Sequence, residues 1–255
     1  MRVQVLVATM NQNDFNLVDK MNIQTDAIIG NQCDHDSVEL LNKNDKKICY
    51  INMNGVGVGL NRNMSLLRAT ADICLFADDD MVYEEDYEKL IIESFEKNPK
   101  ADVIIINLKE KVPKRYVIKK TQKIGWFNYL RYGTARIAVR LQSIRDNGIF
   151  FNLCFGGGTE HSHGEDNLFL TDCLKKKLRI VAVPEYVASL TEERESTWLK
   201  GYDKKYFRDQ GCLYRTISRR WWKLLCFQDA LRHRKTYNMS PCKSYRLMTR
   251  KKTNK

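Results

Sequence analysis

Ala71-Asp-Ile-Cys-Leu-Phe-Ala-Asp-Asp-Asp-Met-Val-Tyr83 sets an apolar run, Ile73 to Ala77, directly before three acids, Asp78, Asp79 and Asp80, and turns apolar again at Met81. A run of that length between turn-like polar residues reads as a buried strand. Three carboxylates at its tip repel one another and raise each other's pKa, so they call for a neutralising cation. Such oxygen donors suit Mg²⁺ or Mn²⁺, and Mg²⁺ is commonly held by one or two carboxylates together with substrate phosphates. The bland alternative is a solvated acidic loop. Position favours a site, because open α/β sheets bind ligands beyond the carboxyl ends of their strands.

On the N-terminal side, Arg2 to Thr9 is a valine-rich strand, followed by a polar turn and a helix near Phe15–Met21. Ala27–Gly30 and Lys47–Asn52 are further strands, the first ending in Asn31-Gln-Cys-Asp34 and the second in a glycine-rich turn, Gly55, Gly57 and Gly59. Strands that end in polar or glycine turns, with helical spacing between some of them, are the grammar of β-α-β units and a largely parallel sheet. The G-x-G-x-G spacing fits neither the dinucleotide fingerprint nor a Walker loop. Leu60, Met64 and Leu67 mark a helix carrying Arg62 in its first turn, where a guanidinium is either an anion site or a solvated surface charge. On the C-terminal side, Glu84 to Lys97 is an amphipathic helix and Asp102–Ile106 a strand. Residues 109–123 form a basic excursion, Trp126, Phe127, Tyr129 and Tyr132 either line an acceptor cleft or pack as core, and Arg179–Val183 is a last strand closed by Pro184.

A second informative stretch is Phe155-Gly-Gly-Gly-Thr-Glu-His-Ser-His-Gly-Glu-Asp166. Gly157 and Gly158 let the backbone bend close to a ligand, and Glu165 and Asp166 open a helix over Asn167–Lys176. A carboxylate there caps the helix or protrudes as a general base, and neighbouring residues can divide the two roles. The His161-x-His163 pair lacks the remaining ligands of a zinc site.

At 255 residues, 43% hydrophobic, the chain can bury a core. The net charge of +12 is uneven: residues 198–255 hold 17 Lys/Arg against three acids, a balance of +14, which leaves −2 for residues 1–197. Eight scattered cysteines without a C-x-x-C pair point to a reducing compartment. With neither a signal-peptide pattern nor an apolar run of roughly 18 residues, the expectation is a cytoplasmic protein.

Four segments in order resemble the family 2 glycosyltransferases. Val5-Leu-Val-Ala-Thr-Met-Asn11 is similar to that family's opening strand, Arg62-Asn63 followed by Ala69-Thr-Ala-Asp72 to its Arg-Asn helix, Asp78-Asp79-Asp80 to its D-x-D element, and Gly164-Glu165-Asp166 to its late acidic motif. The resemblance implies an α/β fold of the GT-A type over residues 1–190, a single domain with a mainly parallel, mixed central sheet flanked by helices. It further implies inverting transfer of a sugar from a nucleotide diphosphate sugar to a hydroxyl of a saccharide or lipid-linked saccharide, as in cell-surface polysaccharide or glycoconjugate synthesis. By the same resemblance Asp166 is the base and Asp80 with Asp78 holds Mn²⁺ or Mg²⁺. Thr9, Asn31, Arg62, Asp78 and Asp79 then meet the donor, and Glu165, Gly157 and Gly158 the acceptor. One departure is Asn31-Gln-Cys-Asp34, where the family commonly has paired aspartates, which leaves the nucleotide open.

Residues 191–255 read as a basic, aromatic-rich, mostly helical extension, disordered over Arg246–Lys255. Its Trp, Phe and Leu residues, interleaved with Arg and Lys, suit either an interfacial helix on the inner face of an anionic membrane or packing against the catalytic domain. Nucleic acid is disfavoured because the first 197 residues are slightly acidic. The rival to an enzyme is a non-catalytic nucleotide-sugar or saccharide-binding module on the same fold.

Overall fold

Val3–Met10 (β1) is buried at every position but its last, which explains why apolar residues run through it with so little interruption. The computed structural model describes residues 1–111, 115–191 and 201–250. The further strands are Asp26–Gln32 (β2), Ser37–Lys43 (β3), Lys46–Met53 (β4), Ile73–Asp78 (β5), Met81–Tyr83 (β6), Val103–Lys109 (β7), Gln122–Ile124 (β8), Ile137–Arg140 (β9) and Ile180–Leu190 (β10). They form one sheet in the order β3-β4-β2-β1-β5-β9-β7-β10-β6, with β8 added to β10. β4, β2, β1 and β5 run parallel, whereas β9 lies antiparallel between β5 and β7. The sheet is therefore mixed but mostly parallel.

Alternate residues of each central strand enter different cores, as the two-residue period of a strand requires. Val5, Val7, Ile29, Leu75 and Ile104 face one cluster, closed by Leu17 and Val18 of Leu17–Lys20 (α1) and by Tyr87, Ile91 and Phe95 of Tyr87–Lys97 (α3). Leu6, Ile28, Phe76 and Ile105 face the other. That second cluster is covered by Leu66 of Val58–Arg68 (α2), by Leu141 and Ile144 of Leu141–Asp146 (α4) and by Phe169 and Leu170 of Glu165–Lys175 (α5).

Two strands arise where the sequence reading assigned no element, and two expectations are corrected. The segment after Asp36 is strand β3, joined to β4 through Asn44 and Asp45, both at positive φ, a hairpin turn that these two residue types tolerate. The stretch following the basic excursion contributes β9 to the middle of the sheet. Pro184 does not close the last strand: β10 continues to Leu190 through register shifts between Ala182 and Ala188, since a missing N–H interrupts the ladder without ending the chain's extension. Arg246 to Thr249 is helical, and only 251–255 of that segment lies outside the described residues, as does Pro113 of the excursion.

The basic extension folds as Lys204–Ile217 (α6), Trp222–Arg232 (α7) and Pro241–Thr249 (α8). Ser240 accepts a hydrogen bond from Lys243 N and Pro241 starts α8, the chemistry of a strong helix N-terminus. Phe207, Leu213, Tyr214, Cys226 and Met248 form a core that takes in Phe155 and Leu168 from the sheet domain. The α6 aromatics thus pack on the sheet domain. No disulfide joins any of the eight cysteines. Among the described residues no helix is long and apolar enough to cross a membrane.

Candidate active site

Parallel strands carry their C-terminal ends to one edge of the sheet. The register pairs Ala8 with Asp78 and Thr9 with Asn31, which brings the opening strand, the altered Asn31 turn and the acidic triplet to that edge. Thr9 Oγ1 donates to Asp79 Oδ2 at 2.6 Å and accepts from Gln12 Nε2 at 2.9 Å. Asn31 is 1% exposed and its amide is spent inside, accepting from Gln12 N and donating to Gln12 O and Asn52 Oδ1. Thr9 and Asn31 therefore brace the cleft from behind.

Arg62 occupies the centre of the arrangement. Read from the sequence as either an anion site or a solvated surface charge, its side chain is only 5% accessible, enclosed by Asp78, Glu165 and the Phe151 ring. Its Nη2 donates to Asp78 Oδ1 at 2.6 Å and its Nη1 to Glu165 Oε1 at 2.9 Å. Burial opposes its charge, but the two carboxylates outweigh that and hold it more firmly protonated than usual. One guanidinium thereby ties the tip of β5 to the start of α5, motifs that lie 87 residues apart in sequence.

Asp166, the next residue after Glu165, accepts from Asn167 N at 2.7 Å and Asn167 Nδ2 at 2.8 Å, both at Oδ1. Its Oδ2 faces Gly133, where an added methyl group would stand 3.8 Å away. Burial, then the charge of Glu165, push this carboxyl up to about 7. Such a group is half-ionised near neutrality and is matched to proton transfer. Asp80 is also raised, by burial first and then by Asp78 and Asp79.

The three carboxylates do not converge on a point, because Arg62 draws Asp78 one way and Thr9 draws Asp79 another. Among the described residues the cluster with three convergent ligand atoms is instead Cys33, Asp34 and His35, consecutive residues of the loop after β2. The donor set at the strand tip still fits a hard divalent cation: all its atoms are oxygens, and beyond burial the Asp80 carboxyl feels the negative charge of Asp78 and Asp79.

Gly157 and Gly158 pack against the other glycine loop. Val58 N donates to Gly157 O at 3.0 Å, and a methyl group on Gly158, which lies at φ +80°, would meet Val56 Cγ1 at 2.7 Å. Gly156, at φ +104°, lies under the Glu165 carboxyl in the same way. These glycines serve close packing of two loops. His161 and His163 are tied to α6: His161 Nδ1 lies 3.1 Å from Asp209 Oδ1, and His163 Nε2 lies 2.7 Å from Gln210 Oε1. Sequence reasoning missed Asp209 and Gln210, which hold the loop ahead of Glu165 and Asp166 from 43 or more residues downstream. Of the aromatic group, Tyr129 and Tyr132 are core, whereas Trp126 and Phe127 are exposed on the segment leading to Gly133.

A search of curated proteins gives no match. Among solved structures the chain is similar to residues 1–349 of TarS from S. aureus in complex with UDP-GlcNAc, with a TM-score of 0.67 at 16% identity over 98% of this chain and 76% of that one. The same protein in complex with UDP gives a TM-score of 0.62 at 16% identity, over 92% and 72% of the two chains. The likeness is one of fold and establishes the GT-A architecture. In sequence, the model of glycosyl transferase family 2 matches residues 25–155, half of the chain, and takes in α2, Arg62 and the acidic triplet. The chain belongs to glycosyl transferase family 2.

Proposed function

We propose that this glycosyltransferase moves a sugar, with inversion, from a nucleotide diphosphate sugar to a hydroxyl of a saccharide or lipid-linked saccharide acceptor, in the cytoplasm and in the service of cell-surface polysaccharide or glycoconjugate synthesis. The observation that carries this reading is the Arg62 bridge, which ties the acidic strand tip to the start of α5, where the Asp166 carboxyl is poised near neutral pH. A uridine diphosphate donor is favoured because the TarS structures similar to this chain hold UDP-GlcNAc and UDP.

Asp80 with Asp78 would hold Mn²⁺ or Mg²⁺, which when bound neutralises charge on the departing diphosphate. Asp78 and Asp79 face the donor, shaped from behind by Thr9, Asn31 and Arg62. Asp166 Oδ2 takes the proton of the acceptor hydroxyl. The hydroxyl oxygen then bonds to the anomeric carbon as the bond from that carbon to the diphosphate breaks, its electron pair leaving with the phosphate. Glu165, neutralised by Arg62, fixes the first turn of α5 and so the aim of Asp166. Exposed Trp126 and Phe127 near Gly133 offer flat apolar faces to an acceptor sugar.

The test is a melting-temperature panel of nucleotide diphosphate sugars with Mn²⁺, followed by measurement of released nucleotide diphosphate. A donor at a hundredfold its Kd adds about 2.7 kcal/mol, hence a rise of about 5–10 °C. If no nucleotide diphosphate sugar raises the melting temperature, the donor class is wrong. Binding without release under any acceptor would leave a binding module.

A further inference from the structure

Helix α7 carries large apolar side chains on the face turned away from its own core. Cys226, Asp229 and Ala230 face α6 and α8, as the core requires. The opposite face carries Trp221, Leu224, Phe227 and Leu231, spaced by three, three and four residues, and these remain 54%, 56%, 50% and 47% exposed. Large apolar side chains in a continuous stripe mark an interaction surface.

What surrounds the stripe identifies its partner. Lys223 and Arg232 flank it on the same helix, and Arg220 lies over the Trp221 ring at 5.0 Å. Residues 201–250 contain 13 Lys/Arg and three acids, and two of those acids are withdrawn from the surface. Asp229 accepts from Tyr214 OH at 2.5 Å and Tyr237 OH at 2.6 Å inside the helical core. Asp209, 5% exposed, is spent on His161, Ser162 and Lys205. The outer surface of this unit is therefore almost purely cationic around an apolar ridge that includes a tryptophan. A folded protein partner of matching chemistry would need a deep apolar groove with an acidic rim. An anionic bilayer supplies apolar depth and negative charge over any area, and tryptophan is favoured at its boundary.

We propose that the α7 face, centred on Leu224 and Phe227 with Lys223 and Arg232 at its margins, docks this chain on an anionic lipid bilayer. The claim stands on the helix alone and is independent of the donor and acceptor assigned above.

The experiment floats the full chain, without nucleotide or metal, with vesicles of phosphatidylcholine alone or with about one third phosphatidylglycerol. Binding is expected on the anionic vesicles and not on the neutral ones. Leu224→Ser/Phe227→Ser should lower the partition at least about tenfold by removing the apolar ridge. Lys223→Glu/Arg232→Glu should lower it at least about tenfold through charge, so a folding defect in the first variant would leave the second to decide. Both variants change exposed side chains and should melt within about 2 °C of the unchanged chain. Absence of binding to anionic vesicles, or equal binding by chain and variants, would overturn the proposal. So would a ridge variant that abolishes self-association or duplex DNA binding while vesicle binding persists.

Discussion

Replacing Arg62 by Met removes a buried guanidinium and leaves two carboxylates facing a space that held a positive charge. Breaking a buried ion pair from one side costs 3–5 kcal/mol in well-buried cases, because the partner stays desolvated and unpaired. Here the partners differ: the Glu165 side chain is 15% exposed, whereas that of Asp78 is 43% exposed and partly screened by water. The low end, about 3 kcal/mol, is therefore the expected loss, with Glu165 supplying most of it. For a chain of this size that corresponds to a fall in melting temperature of about 6–12 °C. A second signature separates charge from packing. In the variant the already raised Asp166 carboxyl loses the Arg62 charge that works to lower it, so ionising it costs more and the deficit should be largest at pH 8 and shrink toward pH 5, whereas a loss of packing would be flat with pH. Differential scanning calorimetry of Arg62→Met at both pH values makes the measurement. A fall of less than about 2 °C at pH 8 would refute the view that this guanidinium holds the two motifs together. A large fall that did not shrink at pH 5 would assign the role to packing on Phe151, over which the guanidinium lies at 5.5 Å.

Asp166→Asn should lower turnover by about 10² to 10⁴-fold while nucleotide-sugar affinity, read by calorimetry, changes little. Because the Asp166 carboxyl sits at about 7, above its unfolded value, ionising it costs stability. Stability should fall as pH rises from the ordinary aspartate range through 7, activity should climb over the upper part of the same interval, and Asp166→Asn should flatten both profiles. Chelation with EDTA should remove activity and Mn²⁺ or Mg²⁺ should restore it; full turnover in chelator would dismiss Asp78 and Asp80 as metal ligands. Gly211→Ala puts a methyl group 1.9 Å from the Met248 carbonyl oxygen, so it should part α8 from α6 at a cost of about 2–4 kcal/mol, read by denaturant unfolding.

Much of the sheet was legible because parallel strands buried on both faces leave unbroken apolar runs, as at Ile73 to Ala77 and Val103 to Ile106. What escaped had a different physical cause in each case. β3 alternates polar and apolar residues at an exposed edge, and its clearest trace was the Asn44-Asp45 turn rather than hydrophobicity. β9 is four residues long and owes its place to β5 and β7 on either side, neighbours that no local pattern announces. At the site, the acidic triplet after β5 and the Glu165-Asp166 pair at the start of α5 stand out in the sequence, but the burial of Arg62 does not. An arginine near the start of a helix faces water unless another segment covers it, and the cover here comes from Phe151 and Glu165, which bracket the glycine loop about a hundred residues away.

That glycine loop also explains why the tail belongs to the enzyme. Gly164 starts α5 at φ +106°, and a side chain there would collide with Leu213 of α6 at 2.8 Å. The same loop is pinned by Asp209 through His161 and the Ser162 amide, with Lys205 closing the network. Burial works to raise the Asp209 carboxyl, but Lys205, His161 and Ser162 outweigh it and keep it ionised below the usual range. Asp209→Ala should therefore loosen the loop that aims Asp166 without touching a reacting group. Its mark should be a fall in kcat of about tenfold with donor affinity unchanged, and recovery with Asp209→Glu, whose longer carboxylate can reach the same donors. A tail that merely tethers the domain predicts the opposite: Asp209→Ala turns over normally.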